Sequence, residues 1–208
     1  MVSFPAEVPM PRNDAAPPLE IACRQVLLED SSVFSVQWTT LPRSLAAGVT
    51  PDWFLDRYLA WIRSFTLTLV RPCRTDDGIE FRLAGTGKSL LSFTAPRRLR
   101  EAGEESLSLA ICGGVLVQPG PSRRGELAFA VTPEREEVRL TIRLGDYSPR
   151  LLGTPSPSRL RKILYRFTQA AIHKVVTIRF LARICRKLGE GSRAVRVIRG
   201  EGPQGEEI

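Results

Sequence analysis

The feature that most constrains how this chain can fold is one apolar stripe near its C-terminus. Leu160, Leu164, Phe167, Ala171, Val175, Ile178, Ala182 and Cys185 recur at three- and four-residue steps, the 3.6-residue period of an α-helix. The stretch from Thr154 to Ser158 supplies a start, with Ser156 or Ser158 as cap and Pro155 or Pro157 in the first turn. Gly189 supplies the stop. Pro157 to about Leu188 is therefore expected as one helix of about thirty residues, a rod on the order of 45 Å long. A single stripe on so long a rod requires a surface for it to lie on.

The same segment carries an uneven charge. From Arg159 to Lys187 there are nine Lys or Arg residues (Arg159, Arg161, Lys162, Arg166, Lys174, Arg179, Arg183, Arg186 and Lys187) and no acidic one. The whole chain is only +8, so the remainder is close to neutral. Basic residues on the wet face complement the helix dipole in its last turns. A wet face ordinarily mixes signs, because Glu–Lys and Glu–Arg pairs support a helix at four-residue spacing. The alternatives are a plain solvated face and a contact with an anionic partner.

The surface under the helix is written upstream. Residues 1 to 18 are Pro-rich and read as a mobile tail. Residues 19 to 29 suit either a strand or a short helix. In Val33 to Thr39, Phe34, Val36 and Trp38 fall on one face and Ser35, Gln37 and Thr39 on the other, predicting a half-buried strand with the aromatic side inward. Thr50 as cap, Pro51 and Asp52 open a helix that buries Phe54, Tyr58, Trp61, Ile62 and Phe65. It continues to Val70 as helix or turns to β from Thr66, and Pro72 ends either course.

From Asp77 the period becomes two. Ile79, Phe81 and Leu83; Leu91 and Phe93; Leu107, Leu109 and Ile111; Leu127, Phe129 and Val131; and Val138, Leu140, Ile142 and Leu144 each mark the inner face of a strand. Short connections make this an antiparallel meander with one face buried, and the C-terminal helix is its natural cover. The fold class is α+β: one domain over residues 19–188, followed by a polar tail, 189–208, expected to be loose.

That order of strand, helix, antiparallel strands and long C-terminal helix resembles the helix-grip fold of the START and Bet v 1-like superfamily, over roughly residues 33 to 188. The resemblance implies a cavity between sheet and helix, used in that superfamily for lipids, hormones and polyketides, or for aromatase and cyclase chemistry. Fold does not fix function.

No motif nominates a reaction. Gly85-Thr86-Gly87-Lys88-Ser89 lacks the first glycine of a phosphate-binding loop, Arg82 standing there, and no helix follows it; a hairpin turn is the reading. His173 is the only histidine and falls off the apolar stripe with no partner nearby in sequence, so it reads as structural or solvated. Cys23, Cys73, Cys112 and Cys185 lack metal-ligand or disulfide spacing, and Cys112 and Cys185 read as buried thiols. No catalytic residue, metal or cofactor is assigned. With no secretory signal and no spanning stretch, the expectation is a soluble, cytoplasmic protein.

Three functions are weighed. The first is binding of an apolar small molecule or lipid between sheet and helix, lined by Trp61, Phe81, Phe93, Phe129, Phe167 and Ala171. The second is contact with an anionic surface, lipid headgroups or nucleic acid, through Arg166, Arg179, Arg183, Arg186 and Lys187. The third is a cyclase or hydrolase on the same fold. A cavity of about 300 Å³ or more favours the first. A solid core favours the second, and polar groups converging on an open cavity favour the third.

Overall fold

The computed structural model describes residues 18–30, 32–101, 103–117, 125–147, 149, 171–191 and 194–207. Eleven strands form one sheet, with two helices packed on it. The strands are β1 (Leu19–Leu27), β2 (Val33–Pro42), β3 (Val70–Thr75), β4 (Gly78–Leu83), β5 (Ser89–Thr94), β6 (Arg97–Glu101), β7 (Glu104–Gly113), β8 (Glu126–Pro133), β9 (Glu137–Tyr147), β10 (Val195–Arg199) and β11 (Glu206–Glu207). Helix α1 (Pro51–Phe65) joins β2 to β3, and α2 (Ala171–Cys185) precedes β10 and continues into a π-helical turn, Arg186–Glu190. Thr154 to Ala170, with Arg166 and Phe167, lie outside the described residues, as does the terminus through Pro17. No helix among the described residues is long and apolar enough to cross a membrane.

The strands run β10-β1-β2-β9-β8-β7-β5-β4-β3, with β6 beside the first half of β7 and β11 beside the end of β1. Every pairing is antiparallel except β1 with β10. Period-two alternation explains this directly for β7 and β9. Leu107, Leu109 and Ile111, and Val138, Leu140, Ile142 and Leu144, are all buried on one face. Cys112, next in β7, consequently points outward and is exposed, not buried as its apolar neighbourhood suggests. The Gly85–Gly87 segment is the β4–β5 hairpin turn, closed by the Leu83 N–H donating to the Lys88 carbonyl at 2.9 Å. Gly114, at φ 114°, is required where β7 leaves the sheet, since a Cβ there would sit 2.3 Å from the Leu90 carbonyl oxygen.

Helix α1 begins as its sequence dictates, the Thr50 hydroxyl accepting from the Trp53 N–H at 3.2 Å. It ends at Phe65, where Leu67 and Thr68 adopt positive φ and turn the chain into β3. Pro72 does not end that strand. It lies inside β3, which is the sheet's edge, where a missing N–H leaves no bond unmade. Helix α2 packs on β1 and β2 and against α1. Phe54 and Tyr58 of α1, Phe129 of β8 and Phe180 of α2 form one aromatic cluster with ring centroids 5.1–5.7 Å apart.

Three expectations are corrected here. The polar segment after Gly189 is not loose in its described part. β10 pairs with Leu19 to Cys23 of β1, and β11 with Val26 and Leu27. That tail also inverts β2. Ser35 and Gln37 are fully buried on the face shared with Val33 and Leu41, toward the core. Phe34 and Trp38 face the other way, where Gly202 and Gly200 pack on their rings. The buried polar side chains are partly paired among themselves, the Gln37 amide donating to the Ser35 hydroxyl at 2.7 Å. Finally, α2 is rotated from the expected stripe: Val175 is 43% exposed while Val176 is 4% exposed. Phe180, which the stripe omits, has the largest apolar surface on the helix, and its place between Phe54 and Tyr58 sets the rotation.

Candidate functional site

A cavity of about 220 Å³ lies between the sheet and both helices. Its sheet wall is Val70, Phe81, Leu90, Leu91, Phe93, Ile111, Leu127 and Leu144; α1 contributes Tyr58 and Ile62, and α2 contributes Ile172, His173 and Val176. Inward-facing positions of successive antiparallel strands supply this wall because alternate residues share a face. Phe81 and Phe93 meet in it edge to face, centroids 5.2 Å apart. The cavity falls short of the expected 300 Å³ because the Phe54–Tyr58–Phe129–Phe180 cluster fills the space beside it.

Four lining side chains have polar atoms: Tyr58, Thr66, Tyr147 and His173. The Thr66 hydroxyl donates to the Ile62 carbonyl at 2.8 Å, and the Tyr147 hydroxyl to the Leu116 carbonyl at 2.9 Å. Burial pushes the Tyr58 pKa up to about 12, against the opposing pull of the neighbouring Thr177 hydroxyl. Burial also raises the Tyr147 pKa. His173 is different. Its Nε2 is screened from solvent and has no hydrogen-bond partner among the described residues. Burial lowers its pKa to about 4, so the ring is neutral at neutral pH. No carboxylate or thiol stands among the described lining residues.

A second concavity opens on the far side of α2. This groove, about 600 Å³, is lined by Trp61, Ile178, Ala182, Val195 and four cations: Arg179, Arg183, Arg186 and Lys187. The Arg183 guanidinium lies 5.6 Å from the Trp61 ring centre, and that of Arg179 lies 5.8 Å from the Phe65 ring centre, within cation–π range. The Trp61 indole N–H donates to the Val176 carbonyl at 3.0 Å, which locks the groove's floor to α2. Among the described residues, none of the four cations forms an ion pair with a carboxylate.

The sequence-derived lining set therefore divides. Phe81 and Phe93 line the cavity. Phe129 is fully buried in the aromatic cluster instead, Trp61 belongs to the basic groove, and Ala171 lines neither. Phe167 lies outside the described residues. Of the cationic set, Arg179, Arg183, Arg186 and Lys187 share one groove, and Arg166 lies outside the described residues. Sequence reasoning missed Tyr58, Tyr147 and His173 as cavity residues. Tyr147 is out of step with the Val138–Leu144 alternation because the chain turns at Asp146, φ 50°, and His173 stood off the stripe; the rotation of α2 is what turns it inward. Among the described residues, no group of three or more His, Cys, Asp or Glu side chains could hold a metal ion.

No protein-family model matches the chain, and no curated protein matches it. Among solved structures, the chain is similar to the solution NMR structure of CalU16 from Micromonospora echinospora, at 14% identity and a TM-score of 0.35, over 88% of this chain and 79% of that one. It is similar to the crystal structure of human STARD10 at 8% identity and a TM-score of 0.40, over 85% and 80% of the two chains. The crystal structure of CalU16 gives 13% identity and 0.30, over 82% and 91%. At these scores the likenesses carry no argument about ligand or chemistry.

Proposed function

We propose that this chain binds one small apolar molecule in the cavity between sheet and helices. The observation that supports the reading is the cavity's wall: twelve of the sixteen described lining positions carry wholly apolar side chains, the other four being Tyr58, Thr66, Tyr147 and His173. Replacing water there with an apolar molecule is favourable by roughly 25 cal/mol per Å² of apolar surface removed from water. Size narrows the class. An apolar cavity of about 150 Å³ takes benzene, so 220 Å³ suits a one- or two-ring molecule or a short acyl chain, and a whole phospholipid would not fit. Native mass spectrometry of the purified protein tests this: the expected result is a complex with one such molecule, co-purified or added. Saturating ligand that leaves only the unbound mass and an unchanged melting temperature would overturn it.

The basic groove supports a second reading, contact with an anionic surface. Four cations with no ion pair among the described residues, two of them (Arg179 and Arg183) over aromatic rings, suit lipid headgroups, each basic residue near an anionic membrane contributing about 1 kcal/mol. Co-sedimentation with anionic vesicles that weakens steeply with salt, and is absent with neutral vesicles, is the expected result. Salt-sensitive DNA binding without vesicle binding would assign the groove to phosphate backbones instead.

A further inference from the structure

We infer that the molecule held in this cavity carries one neutral hydroxyl, and that this hydroxyl pairs with Nε2 of His173. The inference rests on the apolar-cavity reading above and adds the ligand's polar group to it.

The cavity's own hydrogen bonding points there. The Thr66 and Tyr147 hydroxyls are taken up by the Ile62 and Leu116 carbonyls. Nε2 of His173 is the one polar side-chain atom of the described wall that is buried without a partner. A buried polar atom left without a partner is costly, and native proteins keep few of them. The position is fixed rather than accidental: His173 stands on α2 three residues before Val176, whose carbonyl accepts from the Trp61 indole.

Charge decides what the partner is. A carboxylate would have to be desolvated beside an imidazole that burial holds neutral, with no other cation among the described lining residues. An ammonium would find no carboxylate there. A hydroxyl carries no charge, and it both donates and accepts, so it satisfies Nε2 in either tautomer. The Phe81–Phe93 pair and Tyr58 present ring edges and faces to the space, which suits a flat ring. The ligand class is therefore a neutral phenol or alcohol of one or two rings.

Because His173 is the only histidine, imidazole ¹⁵N NMR of the full chain reads this contact without assignment. The probes are 2-naphthol, naphthalene and 2-naphthoate, titrated at neutral pH. The inference predicts that 2-naphthol binds on the order of tenfold tighter than naphthalene, that 2-naphthoate binds weakest, and that only 2-naphthol moves the Nε2 resonance. His173→Phe should erase the preference for 2-naphthol over naphthalene, and His173→Gln should keep part of it. Equal binding of naphthol and naphthalene with an unmoved Nε2 resonance would overturn the inference and leave the apolar-cavity reading standing. Binding of none of the three would overturn both. The wild-type resonance decides the matter even if the substituted chains fold poorly.

Discussion

One helix lines two unlike concavities. Ile172, His173 and Val176 of α2 close an apolar cavity, and farther along the chain Arg179 and Arg183, with Arg186 and Lys187 of the turn that follows, edge a groove. Apolar and basic character are thus divided along the helix as well as around it. The divide falls where Trp61 of α1 donates to the Val176 carbonyl. On one side of that bond the protein presents dry surface and one orphan nitrogen; on the other it presents charge resting on aromatic rings. The difference teaches that a basic amphipathic helix can carry its charge near one site and its ligand contacts at another. The two can therefore be broken separately.

Phe180 belongs to neither concavity and supports both, so its loss should have the largest effect. Phe180→Ala removes a fully buried ring between Phe54 and Tyr58, and about 3–5 kcal/mol of stability should go with it, read from urea melts. Acid should come next and act on the cavity through His173. The His173 pKa lies near 4 in the fold against an ordinary 6.5, so the unfolded chain takes up the proton first. The His173 contribution should be fully present above pH 6.5, fall as pH drops toward 4, and level off below, a loss of at most about 3 kcal/mol. Tyr58 and Tyr147 stay neutral throughout. His173→Phe should lack this component when the two melts are compared across that range.

The groove should respond to charge with little effect on folding. Arg179→Glu with Arg183→Glu should abolish binding to anionic vesicles while costing under about 1–2 kcal/mol of stability, since exposed cation–π contacts are worth roughly 0.5–1 kcal/mol each. Naphthalene binding should be unchanged in the same variant. The smallest effect is expected at the hairpin turn: Lys88→Ala should leave the melt within about 0.5 kcal/mol of wild type and reveal no ATP binding.

Much of the sheet was legible because burial on one face imposes period two, as Leu107 to Ile111 and Val138 to Leu144 illustrate. The α+β class and the order of elements followed from those runs and from the cap at Thr50. What was illegible depended on partners distant in sequence. The face of β2 was misassigned because Gly200 and Gly202, far along the chain, cover Trp38 and Phe34. The rotation of α2 was missed because it is set by rings on α1, and His173 was set aside for the same reason. The cations of the groove were legible as residues, since clustered charge without acidic neighbours is a local pattern. That Trp61 would floor that groove instead of the cavity was a matter of α1–α2 packing, which no local period encodes.

The central claim is that the apolar cavity, and not the basic groove, holds the small ligand. Methyl NMR with naphthalene tests it most directly, because the two concavities have different methyl groups in their walls. The account predicts saturable shifts at Ile62, Ile111, Leu127 and Val176, with Ile178 and Val195 of the groove unmoved. Shifts confined to Ile178 and Val195, or none at the cavity methyls at saturating naphthalene, would contradict it.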